Sequence, residues 1–264
     1  MRLLPSVKQD LEDVASCYFE GKLYSIACDE VKMLLAIHKN INNLEYHWNR
    51  ILPPGGPKIS MNAYFIHLTP QVLYSGLSGK GIEFGDVLYL YTETDNKNYT
   101  RETALLLQAK LYSHKKVDEK QLGLYTDWPN FWFKSRKVHT GNFNVVSTPS
   151  PHPGGRYLFL DDSKRNQNFF ASTGTPIPYM RANDLDNYLA NELVGLLDFS
   201  NGKELKGDWE IAIKAVERKV KRTTKKFKGI SRYLPILHLL RIDKKKNRKG
   251  FWFVHIQGTV PFPD

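Results

Sequence analysis

GKGIEFGDVLYLYTETDNKNYTRETALLLQAKLY, residues 79–112, is the stretch that decides the fold. It contains two apolar segments, residues 86–91 and residues 104–112, separated by a polar connection rich in turn-forming Asp and Asn. Short apolar segments of this kind, bounded by turn signals, predict two neighbouring strands. Because the second segment starts apolar on both of its faces, we expect it to be a central strand that is buried on both sides.

The second predicted strand carries two polar residues at the end of one face. In an extended chain Leu106, Gln108 and Lys110 point to the side opposite Leu105 and Leu107. A buried ammonium group without a partner is costly, so an anionic group must meet Lys110. Asp86, at the start of the neighbouring strand, is the obvious candidate, with a metal ion or a phosphate beside it.

Gly85-Asp86, an apolar strand and the later sequence Gln108-Ala109-Lys110 together resemble the PD-(D/E)xK nuclease superfamily. The resemblance is to its Mrr-like, restriction-endonuclease-like members, in which Gln replaces the second acidic residue. It implies that Asp86 and a Glu from an upstream helix hold Mg²⁺ (or Mn²⁺), with the Ala109 carbonyl as a further ligand. It also implies that Gln108 completes the catalytic site and that Lys110 orients or activates the attacking water.

No motif fixes the upstream Glu that the resemblance implies. Glu45 lies in a predicted helix, residues 43–52, and is the nearer helical candidate, so we place it in the catalytic and metal-binding set. Glu30, in an earlier predicted helix, remains open. Glu83 precedes Asp86 by three residues and would face the other side of a regular strand, unless Gly85 marks a bulge.

A helix is predicted after the second strand, ending before Pro129. Gln121 and Tyr125 are four residues apart and therefore share one face of it. Gln121 is a candidate to line the site, and Tyr125 is expected to pack in the core.

The excess positive charge is confined to the last quarter of the chain. Residues 201–264 hold 17 Lys and Arg against 6 Asp and Glu, whereas residues 1–200 hold 21 of each. A localised basic surface predicts a polyanionic partner; the alternative is a solvated basic tail. The candidate nucleic-acid-binding residues are Lys221, Arg222, Lys225, Lys226, Lys244, Lys245, Lys246, Arg248 and Lys249. The last five lie in the loop of a predicted hairpin formed by residues 236–242 and 251–257.

Composition narrows the class of protein further. Two cysteines, Cys17 and Cys28, cannot build a disulfide framework, which favours a reduced, cytoplasmic protein. The sequence begins without a signal-peptide pattern and contains no apolar run long enough to span a membrane. We therefore expect no membrane partner.

These observations predict one α/β domain of mixed α+β type, residues 1–264, with a restriction-endonuclease-like core sheet flanked by helices. Its parts are a helical N-terminal part (1–57), a catalytic core (58–200) and a basic nucleic-acid-binding part (201–264). The predicted function is Mg²⁺-dependent cleavage of DNA by an endonuclease, in a restriction or anti-phage defence module with an ATPase or helicase partner, or as a homo-oligomer. The alternatives are a non-catalytic nucleic-acid-binding or assembly subunit and a nuclease that acts on RNA.

Overall fold

The structure, a computed structural model, describes residues 1–24, 29–67, 69–77, 79–113, 118–145, 152–162, 171–174, 185–225 and 250–261. Within these ranges the helices are α1 (Pro5–Leu23), α2 (Glu30–His38), α3 (Asn42–Ile51), α4 (Glu119–Asp127), α5 (Leu189–Leu197) and α6 (Gly207–Lys225). The strands are β1 (Lys58–Ile66), β2 (Gln71–Tyr74), β3 (Ile82–Glu83), β4 (Val87–Asp95), β5 (Thr100–Leu111), β6 (Phe131–Phe133), β7 (Asn142–Phe143), β8 (Gly155–Leu160), β9 (Ala171–Gly174), β10 (Leu185–Tyr188), β11 (Lys203–Glu204) and β12 (Phe251–Val260). None of the helices described here is long and apolar enough to cross a membrane.

β4 and β5 form the centre of an eight-stranded sheet among the described residues. The strand order is β1-β12-β4-β5-β8-β9-β10, and β11 pairs with the start of β5. β4 and β5 are antiparallel, with Leu88 opposite Leu106. β12 runs parallel to β4 and β8 runs parallel to β5, whereas the remaining neighbours are antiparallel. The sheet is therefore mixed, and the predicted mixed α+β class with a central sheet flanked by helices is confirmed.

Both faces of the central strands are covered. Tyr89 and Leu107 pack on one face with apolar residues of α1, α2, α3 and α5. Leu88 and Leu106 pack on the other face with residues of α4 and α6. All four side chains are fully buried, so the predicted two-sided burial of β4 and β5 is confirmed. A fully buried aliphatic or aromatic side chain stabilises the fold by about 1.5–3 kcal/mol.

Aspartate side chains cap the N-termini of α2 and α4. The Asp29 side chain accepts hydrogen bonds from the backbone N–H groups of Val31 (3.0 Å) and Lys32 (3.2 Å) at α2. Asp118 does the same at α4 for Lys120 (2.9 Å) and Gln121 (3.2 Å). Such caps satisfy backbone donors that have no partner within the helix. They thereby set the positions of Glu30, the first residue of α2, and of Gln121 in α4.

A second, four-stranded sheet has the order β3-β2-β6-β7. Its inner face is aromatic, with Phe131 packed against Phe84 (ring centroids 5.6 Å apart) and against Phe143 (5.1 Å). The Tyr125 hydroxyl of α4 donates a hydrogen bond to the Phe84 carbonyl at 2.7 Å. The second sheet and α4 therefore anchor the chain two residues before Asp86.

The prediction that residues 251–257 form the second arm of a hairpin with residues 236–242 is wrong. β12 pairs with β1 along residues 251–259 and with β4 along residues 252–260. Both of its edges are occupied, so it is an inner strand of the sheet instead of an arm of a hairpin. Residues 236–242 and the predicted loop residues Lys244, Lys245, Lys246, Arg248 and Lys249 lie outside the described residues.

Close packing at Gly85 generates a first prediction. A Cβ atom on Gly85 would lie 2.7 Å from Leu106 Cδ1 and 2.9 Å from the Tyr125 hydroxyl oxygen, and both neighbours are fully buried. Gly85→Ala should therefore lower the free energy of unfolding by about 1–3 kcal/mol, the usual cost of overpacking a core. Urea unfolding followed by circular dichroism measures this change.

Gly21→Ala in α1 is the matched control, because a Cβ there has no neighbour within 4 Å. This variant should be neutral or more stable by up to about 1 kcal/mol, since Ala favours the helix more than Gly does. Equal stabilities of the two variants would contradict the close approach of Leu106 and Tyr125 to Gly85.

Candidate functional site

Asp86 is fixed by backbone hydrogen bonds to both neighbouring strands. Its N–H donates to the Leu107 carbonyl of β5 at 2.8 Å, and its own carbonyl accepts from the Trp252 N–H of β12 at 2.8 Å. The residue is 3% exposed. The side chain therefore enters the interior at the end of the two central strands, where β4 begins and β5 ends.

A chain of buried polar groups extends from the Asp86 carboxylate. Asp86 Oδ2 accepts a hydrogen bond from the Ala109 N–H at 2.8 Å and a second, short one from Gln108 Nε2. Gln108 Oε1 in turn accepts from Gln121 Nε2 at 2.8 Å. All three side chains are buried, so the carboxylate is held in one orientation by the end of β5 and by α4.

The carboxylate of Asp86 is destabilised as an anion. Burial is the largest cause, followed by the negative charges of Glu83 and Glu30; the Ala109 N–H and the charge of Lys110 oppose them. Together these effects raise the pKa of Asp86 to about 8. A carboxyl group whose pKa is shifted this far by burial and like charge is typical of functional sites.

The structure brings together the residues of the resemblance, with one exception. Asp86, Gln108 and Ala109 are in direct contact, and the charge of Lys110, which is half-buried, acts on Asp86. Glu45 is engaged elsewhere, because its Oε2 accepts a hydrogen bond from the Met61 N–H of β1 at 2.7 Å. The arrangement therefore favours Glu30 or Glu83 over Glu45 as the further acid of the site.

The hydrogen bonds of Gln108 indicate that it positions the Asp86 carboxylate. Its amide nitrogen points to Asp86 and its amide oxygen is bonded to Gln121. In this arrangement Gln108 is a hydrogen-bond donor to the carboxylate and not an oxygen ligand for a metal. An oxygen of Gln108 would face the metal only after the amide turned over and its bond to Gln121 broke.

Tyr157 is a residue of the site that sequence reasoning missed. It pairs with Gln108 in the register between β5 and β8. Its hydroxyl is buried without a hydrogen-bond partner among the described residues. Burial is the largest cause that raises the pKa of Tyr157, and the negative charges of Asp118 and Asp86 add to it. No local pattern could have linked Tyr157 to Gln108, because parallel strands pair across a long connection whose register the sequence does not encode.

The oxygen donors around Asp86 fit a hard divalent cation in part. Both hydrogen bonds end at Oδ2, so Oδ1 is the oxygen that remains for a cation, and Glu30 and Glu83 lie close enough for their charges to act on Asp86. Within the described parts of the chain, no group of three or more His, Cys, Asp or Glu side chains could hold a metal ion. Mg²⁺ nevertheless is usually bound by one or two carboxylates together with waters and substrate phosphate.

The candidate nucleic-acid-binding residues are only partly placed. Lys221 Nζ lies 2.6 Å from Glu217 Oε1, so its charge is already paired. Arg222 is exposed on α6, as is Arg218 one turn earlier. The side chain of Lys225 and the whole of Lys226 fall outside the part of the chain that the structure describes.

Comparisons with protein-family models, with curated proteins and with solved structures find no match for this chain. The chemistry of the site has to be inferred from its own residues.

The raised pKa of Asp86 predicts how the stability of the metal-free protein depends on pH. In the unfolded chain the pKa of Asp is about 3.9, so the folded state binds the proton more tightly. The stabilisation by this proton is complete below about pH 4 and is lost as the pH rises towards 8, by at most about 1.4 kcal/mol per pH unit.

Asp86→Asn should remove this loss, because an amide keeps an oxygen for the Ala109 and Gln108 donors and carries no charge. Its free energy of unfolding, measured in EDTA from pH 5 to 8.5, should increasingly exceed that of the wild type as the pH rises. A constant difference between the two proteins would show that Asp86 does not titrate in this range.

Proposed function

We propose that this protein is a metal-dependent nuclease that hydrolyses phosphodiester bonds in DNA. The observation that carries the proposal is the buried Asp86 carboxylate, fixed by Gln108 and the Ala109 N–H beside Lys110. Burying an ionised carboxylate next to further acids costs stability, and a bound cation offsets that cost. A structural ion pair between Asp86 and Lys110 alone would not require Glu30 and Glu83 nearby.

The cofactor would be Mg²⁺ or Mn²⁺, held by Asp86 Oδ1, by Glu30 or Glu83 and by the Ala109 carbonyl. When bound, such a cation neutralises charge on the phosphate and lowers the pKa of a coordinated water. The Ala109 N–H and Gln108 keep the Asp86 carboxylate in place, and Gln121 keeps Gln108 in place. A side chain held in this way needs little reorganisation during the reaction.

Lys110 would contact the attacking water or the phosphate of the substrate. It lies two residues beyond Gln108 on the same face of β5, so its ammonium group is placed to donate to the attacking water or to a phosphate oxygen. A half-buried lysine interacts with phosphate more strongly than one in bulk water, because the effective dielectric constant is lower. In this role Lys110 orients the nucleophile and balances the charge that develops on the phosphate.

The wider context of the activity rests on the resemblance and, for the location, on the cysteine count. A restriction or anti-phage defence module, a cytoplasmic location and an ATPase or helicase partner or a homo-oligomer stay predictions. DNA is proposed as the substrate, and RNA is the alternative.

Cleavage of DNA tests the proposed site directly. Wild-type protein should cut DNA in Mg²⁺ or Mn²⁺ and not in EDTA. Asp86→Asn and Lys110→Ala should each lower the rate at least about 100-fold, the usual effect of removing a group that acts on the reacting atoms. Lys58→Ala, an exposed lysine at the start of β1, is the matched control and should cut like the wild type.

The variants must retain the circular dichroism spectrum of the wild type for the comparison to count. If Asp86→Asn cut DNA at the wild-type rate, the proposed site would be wrong. If the wild-type protein bound DNA but never cut it in either metal, the non-catalytic nucleic-acid-binding subunit would replace the nuclease as the proposed function.

The exposed arginines of α6 generate a prediction about binding. Arg218 and Arg222 are one turn apart and exposed, whereas Lys221 is paired with Glu217. Each phosphate contact lowers the slope of log K against log salt by about 0.9 on duplex DNA. The double variant Arg218→Gln/Arg222→Gln should therefore flatten this slope by about 2.

Lys221→Gln is the matched control on the same helix. It should change the slope much less, because Glu217 already neutralises the Lys221 charge. Titration of a labelled duplex at several salt concentrations gives all three slopes. If the double variant and Lys221→Gln flatten the slope equally, α6 contributes only overall charge and no defined contact.

A further inference from the structure

An exposed tryptophan lies on the outer face of the second sheet. β6 alternates, with Phe131 and Phe133 buried on the inner face and Trp132 37% exposed between them. Trp132 is held between Leu73 of β2 and Asn142 of β7 by the strand register. A strand paired on both sides presents this indole rigidly, although burying it inside would have stabilised the fold more.

Three basic side chains follow Trp132 within five residues. Lys134, Arg136 and Lys137 are all exposed, and none of them forms an ion pair among the described residues. The sequence contains no Asp or Glu between Asp127 and Asp161. We call Trp132, Lys134, Arg136 and Lys137 the basic–aromatic patch.

The turn that carries these cations is ordered by its own hydrogen bonds. The Val138 N–H donates to the Ser135 carbonyl at 2.9 Å, and the Gly141 N–H donates to His139 Nδ1 at 2.8 Å. The cations therefore project from a fixed turn beside the tryptophan.

The backbone of the basic–aromatic patch lies close to one acid of the proposed active site. Glu83 of β3 pairs with Gln71 of β2, and the Lys134 N–H donates to the Gln71 carbonyl at 2.9 Å. Two strand spacings of about 4.8 Å thus separate Glu83 from Lys134, which is about 10 Å. Glu83 is one of the two acids that raise the pKa of Asp86. A strand of nucleic acid bound at the patch would reach the site within about two nucleotides.

We propose that the basic–aromatic patch binds single-stranded DNA, with a base stacked on Trp132 and its flanking phosphates on Lys134, Arg136 and Lys137. This proposal rests on the proposed nuclease function and specifies its substrate as an unpaired strand next to the cut. An aromatic ring can stack only on a base that has left its duplex stack, and stacking of this kind tolerates any base. Cations beside an exposed ring are the combination that non-specific single-strand binding uses.

The patch differs in this respect from α6. Among the described residues of α6, the exposed ones include no aromatic side chain. The described part of α6 can therefore contact phosphates of a duplex but offers no ring on which an unstacked base could stack. The two surfaces therefore suit different parts of one substrate: duplex on α6, and an unpaired strand on the second sheet.

The experiment measures binding of a labelled 20-nucleotide oligo-dT in EDTA, where cleavage cannot occur. Trp132→Ala should weaken binding at least about fivefold, because a stacked base contributes about 1 kcal/mol or more. Trp132→Phe should recover most of the loss. Replacing Lys134, Arg136 and Lys137 with Gln should flatten the salt slope by about 2, since each contact on a single strand contributes about 0.7.

Tyr99→Ala is the matched control, because Tyr99 is an aromatic residue 70% exposed in the turn between β4 and β5. It should bind oligo-dT like the wild type. Binding of a 20-base-pair duplex should be unchanged by Trp132→Ala, because a paired base offers no face for stacking.

The outcomes separate this proposal from the proposed nuclease function. Trp132-dependent binding of oligo-dT without any cleavage by the wild-type protein would support the patch and overturn the nuclease. Wild-type affinity of Trp132→Ala for oligo-dT would overturn the patch, whether or not the protein cuts DNA. If the wild-type protein bound oligo-rU tenfold more tightly than oligo-dT, the choice of DNA would be overturned. If Trp132→Ala weakened binding of the duplex and of oligo-dT equally, the choice of a single strand would be overturned.

Discussion

The Asp86 carboxylate imposes the strongest physical constraint on this structure. It is removed from water, and its neighbours Glu83 and Glu30 add repulsion that Lys110 only partly offsets. Two hydrogen bonds at one oxygen hold the group in place but do not replace its hydration. In the folded, metal-free protein the neutral acid of Asp86 is therefore favoured up to about pH 8. The protonation of Asp86 is therefore linked to stability, and the metal proposed for this site would compete with that proton because a cation stabilises the ionised form.

The fold maintains this unfavourable group because three distant segments meet around it. β5 supplies Gln108 and the Ala109 N–H, β12 fixes the carbonyl of Asp86 through Trp252, and α4 supplies Gln121. Two-sided burial of β4 and β5 prevents either strand from shifting to relieve the repulsion. An unfavourable buried charge of this kind is retained only where the surrounding structure holds its groups in place. The core on both faces of the sheet thus holds the Asp86 carboxylate in place despite the negative charges of Glu83 and Glu30.

The sequence predicted those parts of the site that depend on alternation within a strand. The central strands β4 and β5 followed from their apolar pattern, and Gln108 and Lys110 followed from its polar end, because the two-residue period fixes which side chains share a face. Pairing between distant strands was not predictable in this way. β12 was expected to form a hairpin with the segment before it, yet it pairs with β4 and β1, whose residues lie about 160 or more positions earlier. Proximity in sequence favours Glu45 over Glu30, but distance along the chain does not determine distance in space.

A count of charges along the sequence does not reveal the basic–aromatic patch, for a similar reason. Residues 1–200 balance to zero, so the excess after residue 200 drew attention to α6 and to residues beyond the described part of the chain. This net charge of zero is a sum over acids and bases that the fold separates. The fold brings Glu83 and Glu30 close to Asp86 and leaves Lys134, Arg136 and Lys137 exposed on an outer turn.

This separation has a physical consequence for the proposed function, because acids that bind a metal also repel the phosphates that must approach it. Exposed charges are screened beyond about 10 Å at 0.1 M salt. Cations that are to offset the repulsion must therefore lie within about that distance of the acids. Lys134, two strand spacings from Glu83, meets this condition through the pairing of β2, β3 and β6. The pairing of the second sheet thus places the backbone of a lysine close enough to offer the positive charge that the proposed nuclease site would need.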